Sequence, residues 1–454
     1  MIKLGSDNIG KIYLGDSKIG KAYLGSDLVY QSSGTPEIPD GPVDWISTDG
    51  LAYINSGITG EYPKSFSMKA LFPPAETAIA GSRGSSGENR FLPAAGYGTN
   101  ESYSLGMGYD YYWSVGDITS AVANKIPMLI HTAFTPGSNG GQLVFYRSEA
   151  DNKFTLYSHG STAGINTGYP MCILGYNSGG NKFASAKGTR LYYFRIYSDW
   201  GLSTIQFDGV PYKYNGQFGL WDNVTNTFFG NANSSGHFKG GLDSHTFTPV
   251  EYIETDGTAC IDTGILAGGD ASAEIKYLAK SGSGATQMVM GTSAMREDSN
   301  LRGLALSFAD KAEIAYKYFY ASNGLDISSS LTNNTPFIAR FSYPYNTFKY
   351  VYVKEIGDSD FRGYSANVSG VNVNAPMYLF AGYNPETGLQ VGNCIAGSRI
   401  YYCKIYADAN YTKLVFDGVP CVYKGEYGLW DNISNSFFGN AASSGAFTGP
   451  SINS

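Results

Sequence analysis

The sequence predicts an all-β chain in which short N-terminal β-hairpin repeats are followed by two tandem jelly-roll β-sandwiches. Three observations predict it. The first thirty-one residues repeat a ten-residue unit, IKLGSDNIGK, IYLGDSKIGK, AYLGSDLVYQ. A much longer framework then occurs twice: VDWISTDGLAYINSGI from Val43 recurs as VEYIETDGTACIDTGI from Val250, and FDGVPYKYNGQFGLWDNV from Phe207 as FDGVPCVYKGEYGLWDNI from Phe416. Between these landmarks apolar and polar residues alternate with period two. Only 15% of residues are charged, whereas glycine numbers 58 and tyrosine 37, a balance suited to strands and tight turns.

In residues 1–31 each unit reads as strand, turn, strand. Gly-Ser-Asp or Gly-Asp-Ser supplies the turn, and Ile2, Leu4, Ile9, Ile12, Leu14, Ile19, Leu24 and Val29 form the apolar set. Thirty residues cannot bury such a face alone, because isolated hairpins are marginal in water and chains of this length seldom fold without staples or partners. These eight residues are therefore the expected anchor and oligomerisation surface. Residues 32–42, SSGTPEIPDGP, carry three prolines and read as a semi-rigid linker. The first sandwich is expected over 43–240, a joint over 241–249 and the second sandwich over 250–454.

Within each copy the strand signal is alternation. In RLYYFRIY, Tyr192, Phe194 and Ile196 fall on one face and Tyr193, Arg195 and Tyr197 on the other; Tyr401, Cys403 and Ile405 take the first set in the second copy. Proline opens the runs after Pro127, Pro170, Pro336 and Pro376, as at a strand's first position. Only short pieces, 119–125 and a stretch near Ala309, suit a helix. Many strands with sparse helix give sandwiches of jelly-roll type.

Composition narrows the function. A net charge of −7 without any basic run argues against nucleic acid as a partner. The N-terminal MIKLGSDN lacks the regions of a secretory signal, and no stretch approaches the ~20 apolar residues of a membrane span, so cytoplasmic synthesis without membrane insertion is expected. Cys172, Cys260, Cys394, Cys403 and Cys421 have no metal or disulfide spacing; Cys260, Cys403 and Cys421 match Tyr53, Phe194 and Tyr212 and read as core residues.

No catalytic motif stands out. Glycosidic chemistry needs paired carboxylates, and the nearest cluster, Glu149-Ala150-Asp151, reads as an exposed turn with no counterpart in the second copy. His131, His159, His237 and His245 share no spacing; His131 falls in a strand, facing water or hydrogen-bonded. The duplicated acids Asp49 with Asp256 and Asp208 with Asp417 precede glycine and read as turn-formers, and Asp222 with Asp431 read as caps of the strand bend after Trp221 or Trp430. No cofactor is expected; a calcium site is conceivable but not indicated, since the dense Asp-x-Asp-x-Asp pattern is missing. Aromatic residues unique to the first copy remain as ligand candidates: Tyr111, Tyr112 and Trp113 in YDYYW, and Trp200 in SDWGLS. Alternation places Tyr109, Tyr111 and Trp113 on one face, so core packing competes with that role. Trp221 and Trp430 recur inside GLWDN and read as structural.

The framework YIETDGTACIDTGI, PMYLFAGYN, SRIYYCKIY and FDGVPCVYKGEYGLWDNISNSFFGNAASSGAF resembles the concanavalin A-like (laminin G-like) modules of phage and bacterial surface proteins, especially from gut Bacteroidales and their phages. The segment KLGSDNIGKIYLGDSKIGKAYLGSDLVY resembles the repeat preceding such modules in phage structural proteins, including fibres of crAss-like phages. The resemblance implies a non-enzymatic virion fibre, a head or tail appendage on the particle surface, assembled in the host cytoplasm. Residues 1–31 would bind a capsid or tail protein and the two lectin-like modules would bind host-surface polysaccharide; a homotrimer follows by analogy with phage fibres. The alternatives are a purely structural capsid or tail decoration protein and a bacterial surface carbohydrate-binding protein.

Overall fold

A computed structural model describes the backbone of six short strands within residues 1–31, then residues 40–84, 90–99, 102–109, 111–134, 142–159, 166–199, 202, 204–243, 247–266, 271–280, 287–291, 294–295, 301–302, 305–309, 313–315, 334–342, 348–367, 376–384 and 389–450. The ten-residue units are hairpins. Lys3–Leu4 pairs with Asp7–Asn8, Ile12–Leu14 with Ser17–Ile19, and Lys21–Leu24 with Asp27–Gln31, each as a separate two-stranded antiparallel sheet.

The two halves of the body share one strand order. In the first, the large sheet runs Thr155–His159, Gln142–Ser148, Met128–Phe134, Ser65–Leu71, Arg190–Tyr197, Ile205–Tyr214, Gln217–Asp222, Thr227–Phe229. In the second it runs Arg362–Asn367, Phe348–Glu355, Phe337–Ser342, Ser272–Leu278, Arg399–Tyr406, Leu414–Tyr423, Glu426–Asp431, Ser436–Phe438. A second sheet, built around Thr77–Arg83 and Asn166–Ile173 or around Gln287–Gly291 and Pro376–Leu379, closes each sandwich. Alternation explains the packing: Phe66, Met68 and Ala70 point into the first core, as Ala273, Ile275 and Tyr277 do in the second. The fold is thus all-β with tandem two-sheet sandwiches.

Local readings hold with specific exceptions. A five-residue helix, Thr119–Ala123, lies inside the expected stretch, but the stretch near Ala309 is the strand Ala305–Ala309. In RLYYFRIY a bulge sets Lys69 opposite Tyr193 and Ala70 opposite Leu191, so Tyr192 is an extra residue and Leu191, not Tyr192, joins Phe194 and Ile196 in the core. The same bulge recurs at Tyr401. Gly41–Pro42, at the end of the expected linker, pairs with Lys213 and Tyr212, and Thr248–Pro249, at the end of the expected joint, pairs with Val422 and Cys421. All five cysteines are free and buried.

Two of the three duplicated acid pairs build turns; Asp208 and Asp417 instead lie inside the strands Ile205–Tyr214 and Leu414–Tyr423, where cross-strand neighbours place cations beside them, Arg195 at 2.7 Å and Lys404 at 3.8 Å. Asp49 accepts the N–H groups of Leu51, Ala52 and His237, and Asp256 those of Thr258, Ala259 and Ala446. Asp222 and Asp431 each draw together the turn that follows GLWDN: Asp431 accepts from the N–H of Asp417 at 2.8 Å, of Ile433 at 3.2 Å and of Ser434 at 3.0 Å, and from the Ser434 hydroxyl at 2.6 Å. Because Asp431 is buried, its removal strands several donors at once. Asp431→Ala is expected to cost about 3 kcal/mol, read as a lowered urea midpoint of the full chain, with Asp431→Asn recovering part of the loss.

Candidate functional site

The most heavily built region outside the two cores is the junction between the sandwiches. A β-sheet has two faces, and in its strands Gln142–Ser148, Met128–Phe134, Ser65–Leu71 and Arg190–Tyr197 the large sheet of the first sandwich buries both. Its outward residues Ser67, Lys69, Leu129, His131, Leu143, Phe145, Arg147, Tyr193, Arg195 and Tyr197 are all buried. Leu129, Leu143, Phe145, Phe154, Tyr197 and Leu202 belong to the same hydrophobic cluster as the core of the second sandwich. Each large apolar side chain withdrawn from water in this way contributes about 1.5–3 kcal/mol. A small cavity lies here, between His131, Tyr197 and Leu202 on one side and Ile265, Leu266, Tyr406 and Val415 on the other; at about 10 Å³ it has room for one water.

Two buried cations from the first sandwich grip the second. Lys69, 0% exposed, donates to the carbonyls of Ser434 and Asn435 at 3.5 and 2.7 Å and pairs with Glu149 at 2.8 Å. Burial pulls its pKa down and Glu149 pulls it back up. Arg147, 2% exposed, donates to the Phe437 carbonyl at 3.0 Å and to the Asp151 carbonyl, and its guanidinium lies 4.3 Å from the Phe438 ring centre and 5.2 Å from that of Phe154. Burial lowers its pKa to about 10, with Asp262 and Glu149 opposing. In return the second sandwich offers Asp262, whose carboxylate accepts the Phe154 N–H, the Tyr378 hydroxyl and the Gly264 N–H, all at 3.0 Å. Burial raises the Asp262 pKa. Asn152 accepts the Gly439 N–H at 3.2 Å.

Within residues 149–154, Ala150, Asp151 and Lys153 are exposed as expected of a turn, but the turn is not wholly solvated. The Glu149 side chain is 15% exposed, and Asn152 and Phe154 insert into the second sandwich. His131 is buried rather than facing water; its ring lies 5.2 Å from Phe154, and burial, with Arg147 and Arg195 beside it, lowers its pKa to about 3. Lys69, Arg147 and Phe154 stand outside the candidates the sequence offered, although a signal was present. In QLVFYRS, Leu143, Val144, Phe145 and Tyr146 are consecutively apolar, the mark of a strand covered on both faces.

The equivalent face of the second sandwich is written differently. Cross-strand pairing puts Ser67 opposite His131 and Glu274 opposite Arg340, then His131 opposite Phe145 and Arg340 opposite Tyr352. Thus Glu274, Arg340 and Tyr352 stand where Ser67, His131 and Phe145 are buried. Arg340 pairs with Glu274, which also accepts the Tyr402 hydroxyl at 2.8 Å; Tyr352 is 37% exposed and stacks on Tyr350 with ring centres 6.3 Å apart. This face meets water.

Of the expected ligand residues, Tyr111, Tyr112 and Trp113 share the strand Tyr111–Asp117, paired with Ser102–Tyr109 at the end of the smaller sheet of the first sandwich. Their side chains, and the whole of Trp200, lie outside the described residues, as do the side chains of the anchor set Ile2, Leu4, Ile9, Ile12, Leu14, Ile19, Leu24 and Val29. Among the described residues no three His, Cys, Asp or Glu side chains converge as for a metal ion, and no helix is long and apolar enough to cross a membrane.

No family model matches the chain, and no curated protein matches it. Among solved structures the chain is similar to domains LG4-5 of the mouse laminin alpha1 chain, at 10% sequence identity and a TM-score of 0.27, over 81% of this chain and 90% of that one.

Two measurements check the junction. Gly264 sits at φ +65°, where an added Cβ would stand 2.3 Å from the Phe154 ring; its counterpart Gly57, at φ +71°, has nothing within 4 Å. Both alanine variants carry the left-handed penalty of about 1–2 kcal/mol. Gly264→Ala alone should also wedge the junction open, giving a larger drop in melting temperature than Gly57→Ala and a second calorimetric transition. The other check is acid sensitivity. His131 is neutral in the fold and titrates near 6.5 once unfolded, so its contribution is complete above that pH and is lost as pH falls toward 3, by about 1.4 kcal/mol per unit. His131→Gln should flatten the fall in melting temperature between pH 6.5 and 4.5.

Proposed function

We propose that this chain is a non-enzymatic appendage of a phage particle, attached through residues 1–31 and presenting two clamped lectin-like sandwiches to polysaccharide on the host surface. The observation that carries this reading is the pairing of the N-terminal strands. Each ten-residue unit pairs only within itself, as a two-stranded sheet, and no described pairing joins one hairpin to another or to the sandwiches. Such hairpins need cover from other chains. Neighbouring copies, as a homotrimer, and the capsid or tail protein at the attachment point would supply it. A stiff body then suits its task, because two modules fixed relative to each other place weak sugar contacts at a constant spacing, and several copies multiply them through effective concentration.

Deleting residues 1–31 is the direct test. The shortened chain should remain folded in its sandwich cores, fall to a monomer by light scattering, and be absent from purified particles. Normal incorporation of the shortened chain would overturn the anchor. A blank glycan array together with particles that lose stability without the protein would favour a decorative role.

A further inference from the structure

The duplication supplies an internal comparison for one aromatic cluster that the junction leaves outside. In the second sandwich, Trp430 is 3% exposed because Phe247 stacks on it, ring centres 4.8 Å apart and planes within 16°. Tyr423 flanks that slot, 5.5 Å from Trp430 and 5.4 Å from Phe437. The first sandwich has the same walls. Tyr214 lies 6.2 Å from Trp221 and 5.4 Å from Phe228, at interplanar angles of 53° and 41° against 56° and 40° in the twin, and Tyr212 adds a ring 5.5 Å from Trp221.

The lid differs. Thr248 and Pro249 pair with Val422 and Cys421 as Gly41 and Pro42 pair with Lys213 and Tyr212, so the residue aligned with Phe247 is Asp40. Its carboxylate turns to the neighbouring turn and accepts the N–H groups of Asn215 and Gly216 at 2.7 and 3.1 Å. Trp221 is left half-buried and Tyr214 is 44% exposed. A slot that closes on one flat six-membered ring in one copy stands open in the other.

We propose that the Trp221 slot binds one pyranose ring of a neutral polysaccharide, the sugar's apolar face taking the place that Phe247 fills in the second sandwich. This rests on the adhesion reading above and gives that reading a site. Aromatic faces pack against the C–H face of a sugar as they do against another ring. The Asp40 carboxylate, at the position the lid residue holds in the twin, suits sugar hydroxyl groups, and a negative charge there disfavours acidic sugars.

Calorimetric titration of the full chain with four hexasaccharides, of β-1,4-glucose, α-1,4-glucose, β-1,4-mannose and β-1,4-xylose, tests it. At least one should bind at a single site per chain, and Trp221→Ala should weaken it about tenfold or more. Asp40→Phe should install the missing lid and remove binding, whereas Phe247→Asp should uncover Trp430 and raise the stoichiometry to two; unchanged near-ultraviolet circular dichroism away from the substituted rings shows that each variant is folded. Failure of all four sugars to bind overturns the inference, as does binding that survives both Trp221→Ala and Asp40→Phe. In that second case adhesion stands and its site lies elsewhere. If Trp221→Ala instead dissociates the chain's assembly without sugar, the slot holds a neighbouring subunit and the inference falls.

Discussion

The burial of two cations, Lys69 and Arg147, on the outer face of a sheet is the constraint around which the rest of the molecule is arranged. A lysine or arginine removed from water is costly unless hydrogen bonds and counter-charges surround it. Here the partners come from both sandwiches: Glu149 and the Asp151 carbonyl from the first, and the carbonyls of Ser434, Asn435 and Phe437 with the nearby Asp262 from the second. Each cation loses hydrogen-bond acceptors unless the second sandwich is in place. The apolar residues around them, Leu129, Leu143 and Phe145, supply most of the attraction, while the cations fix which turn docks and at what register.

The grip on backbone carbonyls has its own logic. A carbonyl position depends on the shape of the turn, and that shape is set by Asp431, which gathers the N–H groups of Ile433 and Ser434. The first copy has the same device in Asp222, which accepts from Val224 and Thr225, yet its turn is exposed. Identical local structure thus has two fates, decided by what faces it.

Much of the fold was legible because the chain repeats itself. Alternation located strands such as Arg190–Tyr197, and the ten-residue unit located hairpins. What alternation could not reveal was which strands have a second buried face, because the outward set of a strand looks polar or apolar for reasons that lie on another module. His131 reads as facing water or hydrogen-bonded, and Glu149-Ala150-Asp151 as an exposed turn; the burial of His131 and Glu149 is explained only by a surface far away in sequence. The bulge at Tyr192 was likewise invisible, since one inserted residue shifts the alternation without changing composition. The lid over Trp430 was hidden for the opposite reason: Phe247 stands in a joint, where no motif directs attention, and only its replacement by Asp40 in the other copy gives it meaning.

A contact between unlike surfaces of two homologous units has no natural end, since each unit added offers the next one the same socket. In this chain the two sockets differ. The socket of the second sandwich carries Arg340 paired with Glu274, beside Tyr352, where the first carries His131, Ser67 and Phe145. Ions and a tyrosine hydroxyl that are content in water would have to be stripped of it to admit a third unit. The same substitutions that keep that face in water therefore make it a poor socket for a further copy, so the repeated fold does not carry a repeated contact.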